Sequence, residues 1–230
     1  MQPFEQELQR LQDEVLALGN MVERAIVESV DILKQRDLAD SLHLIVLDQQ
    51  ISKKRFAIEM ECLKFIVTQQ LLEDDLRTIT SILQIAVELE RMADYARDIA
   101  RIPFMIIEES LQNLSADIHL MATETQDMLR QALEAFMQRN LALARSIPAR
   151  YDKVEALYSQ TYLNLLTFMS IKSPAMTSQA RYLSRLARNL ERAAKRMTSI
   201  GAWIVFAITG TTAIIQGNKP QTILSFNNNI

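Results

Sequence analysis

From Phe4 onward the apolar residues recur every three or four positions: Leu8, Leu11, Val15, Leu18, Met21, Val22, Ile26, Val30, Ile32 and Leu33. That is the period of an α-helix, not the alternation of a strand. KQRDLADS (34–41) interrupts it. A second run extends from about Ala39 to Gln70, its apolar residues being Leu42, Ile45, Val46, Ile51, Phe56, Met60, Leu63, Ile66 and Val67. A third begins at Glu73, where successive acids suit a helix N-terminus. It passes through Leu76, Ile79, Leu83, Ala86, Leu89, Ala93, Ala96 and Ile99 and stops at Pro103.

Residues 103–115 read as a linker. Ser115 is placed to cap a fourth helix over 116–138, with Ile118, Met121, Met128, Leu129, Ala132, Leu133 and Phe136 facing inward. The fifth covers 141–171, and Pro148 is expected to kink or restart it. The sixth starts at Pro174, a favoured first-turn residue, and carries Leu183, Leu186, Leu190, Ala194 and Met197 to about Ala207. Six long helices joined by short breaks pack antiparallel. The pattern therefore predicts an all-α fold of two tandem three-helix bundles, 1–103 and 104–215, followed by a polar tail, 216–230, expected to be flexible. A β-sheet anywhere would count against this reading.

The two halves share phrases. LERMADYARDIA at 89–100 returns as LERAAKRMTSIG at 190–201, a shift of 101. At a shift of 103, RDLA (36–39) meets RNLA (139–142), and LDQQI (47–51) meets RYDKV (150–154). Helical periodicity alone matches apolar residues by chance. It does not also bring Leu-Glu-Arg and Arg-x-Leu-Ala into register, so the chain reads as a duplicated unit.

Composition narrows the classes. The chain has 230 residues, 49% hydrophobic and 23% charged, with only four Gly and five Pro. Its net charge of −3 gives no general attraction to nucleic acid. Cys62 is single and sits in an apolar run, as a small core residue would. His43 and His119 are too few and too far apart in sequence to make a zinc site by themselves. The N-terminus lacks the basic and apolar regions of a signal peptide. AWIVFAITGTTAII (202–215) is the most apolar stretch, but it is shorter than the about 20 residues that span a bilayer. It reads as a buried helix end followed by a short extended piece.

Chemistry concentrates in the third helix. Glu90, Asp94 and Asp98 stand four apart, and each step of four turns only about 40°, so they line one flank. Asp48 of the second helix can lie opposite Glu90 or Asp94, with Ser52 one turn on. Carboxylates gathered from facing helices can hold a hard cation. The alternative is a solvated acidic face paired with Arg91, Arg97 or Arg101. In the second copy Glu191 keeps its place, but Lys195 replaces Asp94, Ser199 replaces Asp98, Tyr151 replaces Asp48 and Glu155 replaces Ser52. Lys195 is expected to pair with Glu191 one turn earlier, leaving Glu155 and Glu191 as doubtful ligands.

The sixth helix bears a basic stripe: Arg181, Arg185, Arg188, Arg192, Lys195 and Arg196. It is either a solvated face or a docking surface for an acidic partner or anionic lipid. No aromatic interleaving points to nucleic acid. No glycine-rich phosphate loop, nucleophile elbow or Cys/His pair is present, so no catalytic residue is assigned.

These residues resemble the PhoU family of phosphate-signalling regulators over roughly Phe4 to Thr212. FEQELQRLQDEVLALGNMVERAI, LDQQISKKRFAIEMECLKFI, DDLRTITSILQIAVELERMADYARDIARI and LARNLERAAKRMTSIGAWIVFAITG carry the resemblance, with DLR (75–77), LER-x-x-D and the ITG ending as its most specific parts. It implies paired three-helix bundles in a cytoplasmic, homodimeric regulator. Such a regulator couples the ATP-driven phosphate importer to a membrane sensor kinase and represses the starvation response when phosphate is plentiful. It also implies E/D-x-x-x-D motifs that hold iron, zinc or another divalent cation in some members. Here Glu90-x-x-x-Asp94 matches, Asp48-x-x-x-Ser52 and Tyr151-x-x-x-Glu155 match by half, and Glu191-x-x-x-Lys195 is broken. Any metal is therefore expected in the first repeat only. Two other classes stay open: a metal-binding buffer or catalyst, and a helical scaffold without a phosphate link.

Overall fold

The computed structural model describes residues 3–35, 37–69, 71–105, 116–171, 174–211, 213–216 and 219–222. Six long helices form it: α1 Pro3–Gln35, α2 Leu38–Thr68, α3 Glu73–Ala100, α4 Ala116–Met137, α5 Leu141–Ile171 and α6 Pro174–Thr209. The breaks have local causes. Asp37 caps α2 by accepting from the amides of Ala39 and Asp40. Asp75 accepts from the Leu72 amide and closes the first turn of α3. The positions expected for the Ser115 cap, most of the linker and the end of the tail lie outside the described residues.

Each unit packs its three helices on one another, and the units meet through like against like: α3 on α6 and α1 on α4. That is the pattern of a pseudo-two-fold interface. The repeated phrase is buried alike in both copies: Ala86, Leu89, Ala93 and Ala96 of α3, and Ala187, Leu190 and Ala194 of α6. One continuous apolar core runs through both units.

Close approach also explains two helical glycines. A Cβ on Gly19 of α1 would lie 2.5 Å from Leu133 Cδ2 of α4. A Cβ on Gly201 of α6 would lie 3.1 Å from the Ala144 carbonyl oxygen of α5. Pro148 has no N–H for that carbonyl, so the helix groove there stays open to Gly201.

Two expectations need correction. Pro148 does not restart α5 as a separate element; α5 runs unbroken from Leu141 to Ile171, with Pro148 buried inside it. The apolar residues read along α2 belong mostly to its outer face: Leu42, Val46, Phe56, Met60, Leu63 and Val67 are exposed. The buried stripe is Leu44, Ile51, Ile58, Cys62 and Phe65. The α2 run is apolar on two faces, and periodicity alone could not choose between them. The fold is the expected all-α pair of three-helix bundles, with one short addition beyond them. A two-stranded antiparallel hairpin, β1 Ala213–Gln216 and β2 Lys219–Thr222, follows α6. It lies beyond the duplicated helices, so the duplication stands. The short extended piece expected after the helix end is β1. Burial pushes the Cys62 thiol up to about 12, as befits an inert core residue.

Candidate functional site

The acids of the first repeat do converge, but around arginine. Asp48 of α2 is buried, and Glu90, Asp94 and Asp98 of α3 are half-buried beside it. Arg97 turns between them. Its Nη1 donates to Asp48 Oδ2 at 2.8 Å and lies 2.7 Å from Asp94 Oδ1. Its Nη2 stands 3.8 Å from Asp98 Oδ1, which is also 3.8 Å from Arg101. Arg55 of α2 donates from Nε to Glu90 Oε2 at 2.8 Å and pairs with Glu59 as well. Burial opposes the charge on Arg97, but Asp48, Asp94 and Asp98 outweigh it and hold the guanidinium above its ordinary value. Burial pushes Asp94 upward; Arg97 opposes this, and the like charges of Asp48 and Glu90 add to it.

Oxygens holding a divalent cation must point at one centre about 2.0–2.6 Å away. Between Asp48 and Asp94 that centre is taken by Arg97 Nη1. Among the described residues no group of three or more His, Cys, Asp or Glu side chains is placed to hold a metal. The donor set as it stands does not fit the ion that the resemblance implies. Tyr95 of the same helix faces α6 instead, its hydroxyl against Arg196.

In the second repeat the same level is bridged without arginine. Tyr151 stands where Asp48 stood, and its hydroxyl donates to Glu191 Oε1 at 2.6 Å. Glu155 Oε1 is 3.4 Å from the same hydroxyl. Burial first, then the bond to Glu191, pushes the phenol upward, so it remains a donor. The expected Lys195–Glu191 pair is not made among the described residues; Lys195 is exposed and Glu191 takes Tyr151.

The basic stripe is real over five of its six residues. Arg181, Arg185, Arg188, Arg192 and Lys195 are exposed along α6, and no ion pair among the described residues engages them. Arg196 is the exception. It turns inward to α3, with Nη1 3.4 Å from Glu88 Oε2 and Nη2 3.2 Å from the Tyr95 hydroxyl. Glu88 escaped the sequence reading. The signal was available, because Glu88 and Asn189 are equivalent under the shift of 101 and both interrupt apolar stripes.

The two specific motifs form one construction. Gly210, at φ +70, ends α6, and a Cβ there would meet Arg77 Nη1 at 3.2 Å. Arg77 pairs with Glu73 and Asp74. Arg139 reaches the Ala207 carbonyl at 3.3 Å and Thr78 Oγ1 at 3.5 Å. Arg77 of DLR in the first unit thus lies against Gly210 at the ITG end of the second.

Two three-helix units closed like on like, with charged bridges at equivalent levels, define a duplicated helical-bundle class. The PhoU domain matches residues 15–102 and again 118–204, and the chain belongs to the PhoU family. It is 29% identical over 208 residues to a Clostridium acetobutylicum protein named phosphate-specific transport system accessory protein PhoU homolog, covering 90% of this chain and 94% of that one. A Pseudomonas putida protein of the same name is 29% identical over 223 residues, covering 96% and 86%. The crystal structure of the phosphate transport system regulatory protein PhoU from Streptococcus pneumoniae superposes with a TM-score of 0.84 at 25% identity, covering 91% of this chain and 98% of that one. PhoU from Pseudomonas aeruginosa gives 0.84 at 27%, covering 90% and 100%. Among the described residues no helix is long and apolar enough to cross a membrane.

Proposed function

We propose that this chain is a non-enzymatic regulatory accessory protein of a phosphate transport system. It acts by contact, at the cytoplasmic face of the membrane, with the importer's ATPase or a sensor kinase. The observation that carries this is the match of both units to relatives named for that role, over nearly the whole of each chain. In cells lacking the chain, a phosphate-starvation reporter should be active even in high phosphate, and restoring the chain should silence it. A reporter still regulated by phosphate in the deleted strain would sink the proposal.

The five exposed cations of α6 are the docking surface in this reading. No ion pair among the described residues engages them, Arg185 making only a weak contact to Met105 Sδ at 3.6 Å, and a membrane face rich in anionic lipid and acidic groups attracts such a stripe. Arg185→Glu with Arg192→Glu should weaken recruitment to the importer by about tenfold, as two reversed surface charges allow. The residual binding should also respond less to salt. Stability should change by about 0.5 kcal/mol or less, because both side chains are exposed. Unchanged recruitment of the folded double variant, measured by pull-down over a salt series, would return the stripe to an ordinary solvated face.

We also assign the outer face of α2 to a second copy of the chain. Leu42, Val46, Phe56, Met60, Leu63 and Val67 fall at the three–four spacing of a coiled-coil seam, with Gln49 and Lys53 in its middle. The equivalent α5 positions are Arg145, Ala149, Asp152, Ala156 and Ser159 over most of their length, so the fold itself does not require an apolar face there. An antiparallel copy of α2, about 46 Å long, sets Val46 against Leu63 and brings Lys53 beside Glu59. With its flanks such a seam approaches the about 800 Å² per partner of a standard interface. Sedimentation should give a dimer for the unaltered chain and a monomer for Phe56→Glu with Met60→Glu. A monomer in both, or a dimer in both, excludes this seam.

A further inference from the structure

The first repeat presents carboxylates from two helices, and the second has dismantled them. What left together is informative. Under the two register shifts, Asp48, Asp94 and Asp98 become Tyr151, Lys195 and Ser199, while Arg55 and Arg97 become Tyr158 and Thr198. These three aspartates and two arginines are gone from the second copy, where Glu191 keeps the place of Glu90, yet a bridge between the second and third helices of the unit survives there. In the first unit it is Arg97 on Asp48; in the second it is Tyr151 on Glu191. What both copies preserve is the bridge.

The geometry agrees. Arg97 Nη1 is shared between Asp48 and Asp94 at 2.8 and 2.7 Å, one oxygen from each helix. Glu90, the fourth acid, is engaged by Arg55. A metal at the same centre would have to draw both oxygens in to about 2.0–2.6 Å and expel a guanidinium that carries the same sign. Ser52, one turn beyond Asp48, supplies a hydroxyl where another acid would have strengthened the case for a metal. The Arg97 stem runs inward, and its Nε is buried without a partner. The head group is thus held by its Nη contacts with the acids.

We propose that Arg97 is the resident cation of the first repeat: its guanidinium occupies the centre of the carboxylate cluster, joins α2 to α3 and excludes a divalent metal. This chain then departs from the members of its family that hold iron or zinc, and its bundle closes without a metal. Three groups decide the balance. Asp48 and Asp94 are the two acids an ion would bridge, and Arg97 is the charge it must displace.

The test uses the full chain after chelation and dialysis, with Mn²⁺ and Zn²⁺ as probes. Elemental analysis of freshly purified protein should find well under one equivalent of transition metal, and chelator should leave Tm unchanged. Calorimetric titration should show no stoichiometric site in the unaltered chain. In Arg97→Met, which keeps an apolar stem of similar reach, the acids are released. That variant should bind one Mn²⁺ or Zn²⁺ at least about tenfold more tightly than the parent, with a Tm that rises on metal addition. Adding Asp94→Asn to it should abolish the gain. Arg97→Lys, which keeps the charge but cannot span both acids, should melt lower than the parent and still refuse metal. Metal retained by the purified parent and lost in Asp94→Asn would overturn the proposal. So would an Arg97→Met protein that gains no affinity. If Arg97→Met fails to fold, the parent's metal content and Arg97→Lys still decide it.

Discussion

Gly19→Val should lower stability by about 3 kcal/mol, or about 6–12 °C in Tm. Glycine inside a helix ordinarily costs about 1 kcal/mol relative to alanine, so α1 forgoes helix propensity at this point. The compensation is proximity. Leu133 of α4 is buried and occupies the volume that a side chain on Gly19 would need, its Cδ atoms 2.5 and 2.7 Å from an added Cβ. The leucine cannot swing away, because close-packed neighbours surround it. A valine must therefore push α1 and α4 apart, and those helices pack across the interface between the repeats. Leu133→Ala alone should also be destabilising, by 2–4 kcal/mol on the order of a core truncation. Combined with Gly19→Val it should recover more than about 1 kcal/mol of their summed cost, since each fills or vacates the same space. Strict additivity in the denaturation midpoints would show that the glycine does not owe its place to this contact.

How far the sequence revealed this fold depends on where a helix sits. α3 and α6 are central, with partners on several sides, and their alanines and leucines announced a repeated buried face. α1 and α4 have one wet side, and their inward faces were legible from spacing alone. α2 lies at the edge of its unit but is apolar on two sides. Its phase was misread because the outer stripe, from Leu42 to Val67, is as regular as the buried one. Helix ends were legible wherever a residue has a local reason to stand there, as at Pro174 and the Glu73–Asp75 acids. Pro148 misled because a proline near a helix start interrupts only a carbonyl that another helix can cover, as Gly201 does.

The site was legible in membership but not in sign. Asp48, Glu90, Asp94 and Asp98 do meet, as spacing suggested. Spacing does not say whether Arg97, which belongs to the same flank, swings toward solvent or inward. The inward pose depends on Asp48, which comes from another helix 49 residues away. Likewise Arg196 sits only one residue from Lys195 and looks like part of the stripe. One residue is about 100° of helix rotation, which carries it from the outer face to the interface with α3.

That rotation sets the second large effect. Arg196→Ala should cost about 2 kcal/mol, although Arg192→Ala, one turn away, should cost almost nothing. Glu88 is buried, and Arg196 supplies half of its neutralisation across the repeat interface, the exposed Arg91 supplying the rest at 3.0 Å. Removing Arg196 leaves a carboxylate facing α6 and a Tyr95 hydroxyl without its donor. The pseudo-symmetry sharpens the case. The position equivalent to Glu88 is Asn189, which is 5% exposed with an unpartnered Nδ2, and the position equivalent to Arg196 is Tyr95. Only one of the two symmetric sites holds a charged pair, so the interface accepts an uncharged arrangement at the same depth. Glu88→Leu with Arg196→Leu should therefore be close to neutral, or stabilising by about 1 kcal/mol, because filling the space with apolar atoms removes both desolvation costs. Urea denaturation of the two single variants and the double decides it. A double variant as unstable as Arg196→Ala would mean that packing of the arginine stem, not the buried carboxylate, sets the cost. Loss of importer recruitment by Arg196→Ala, in protein that remains folded, would mean that Arg196 belongs to the outer stripe after all.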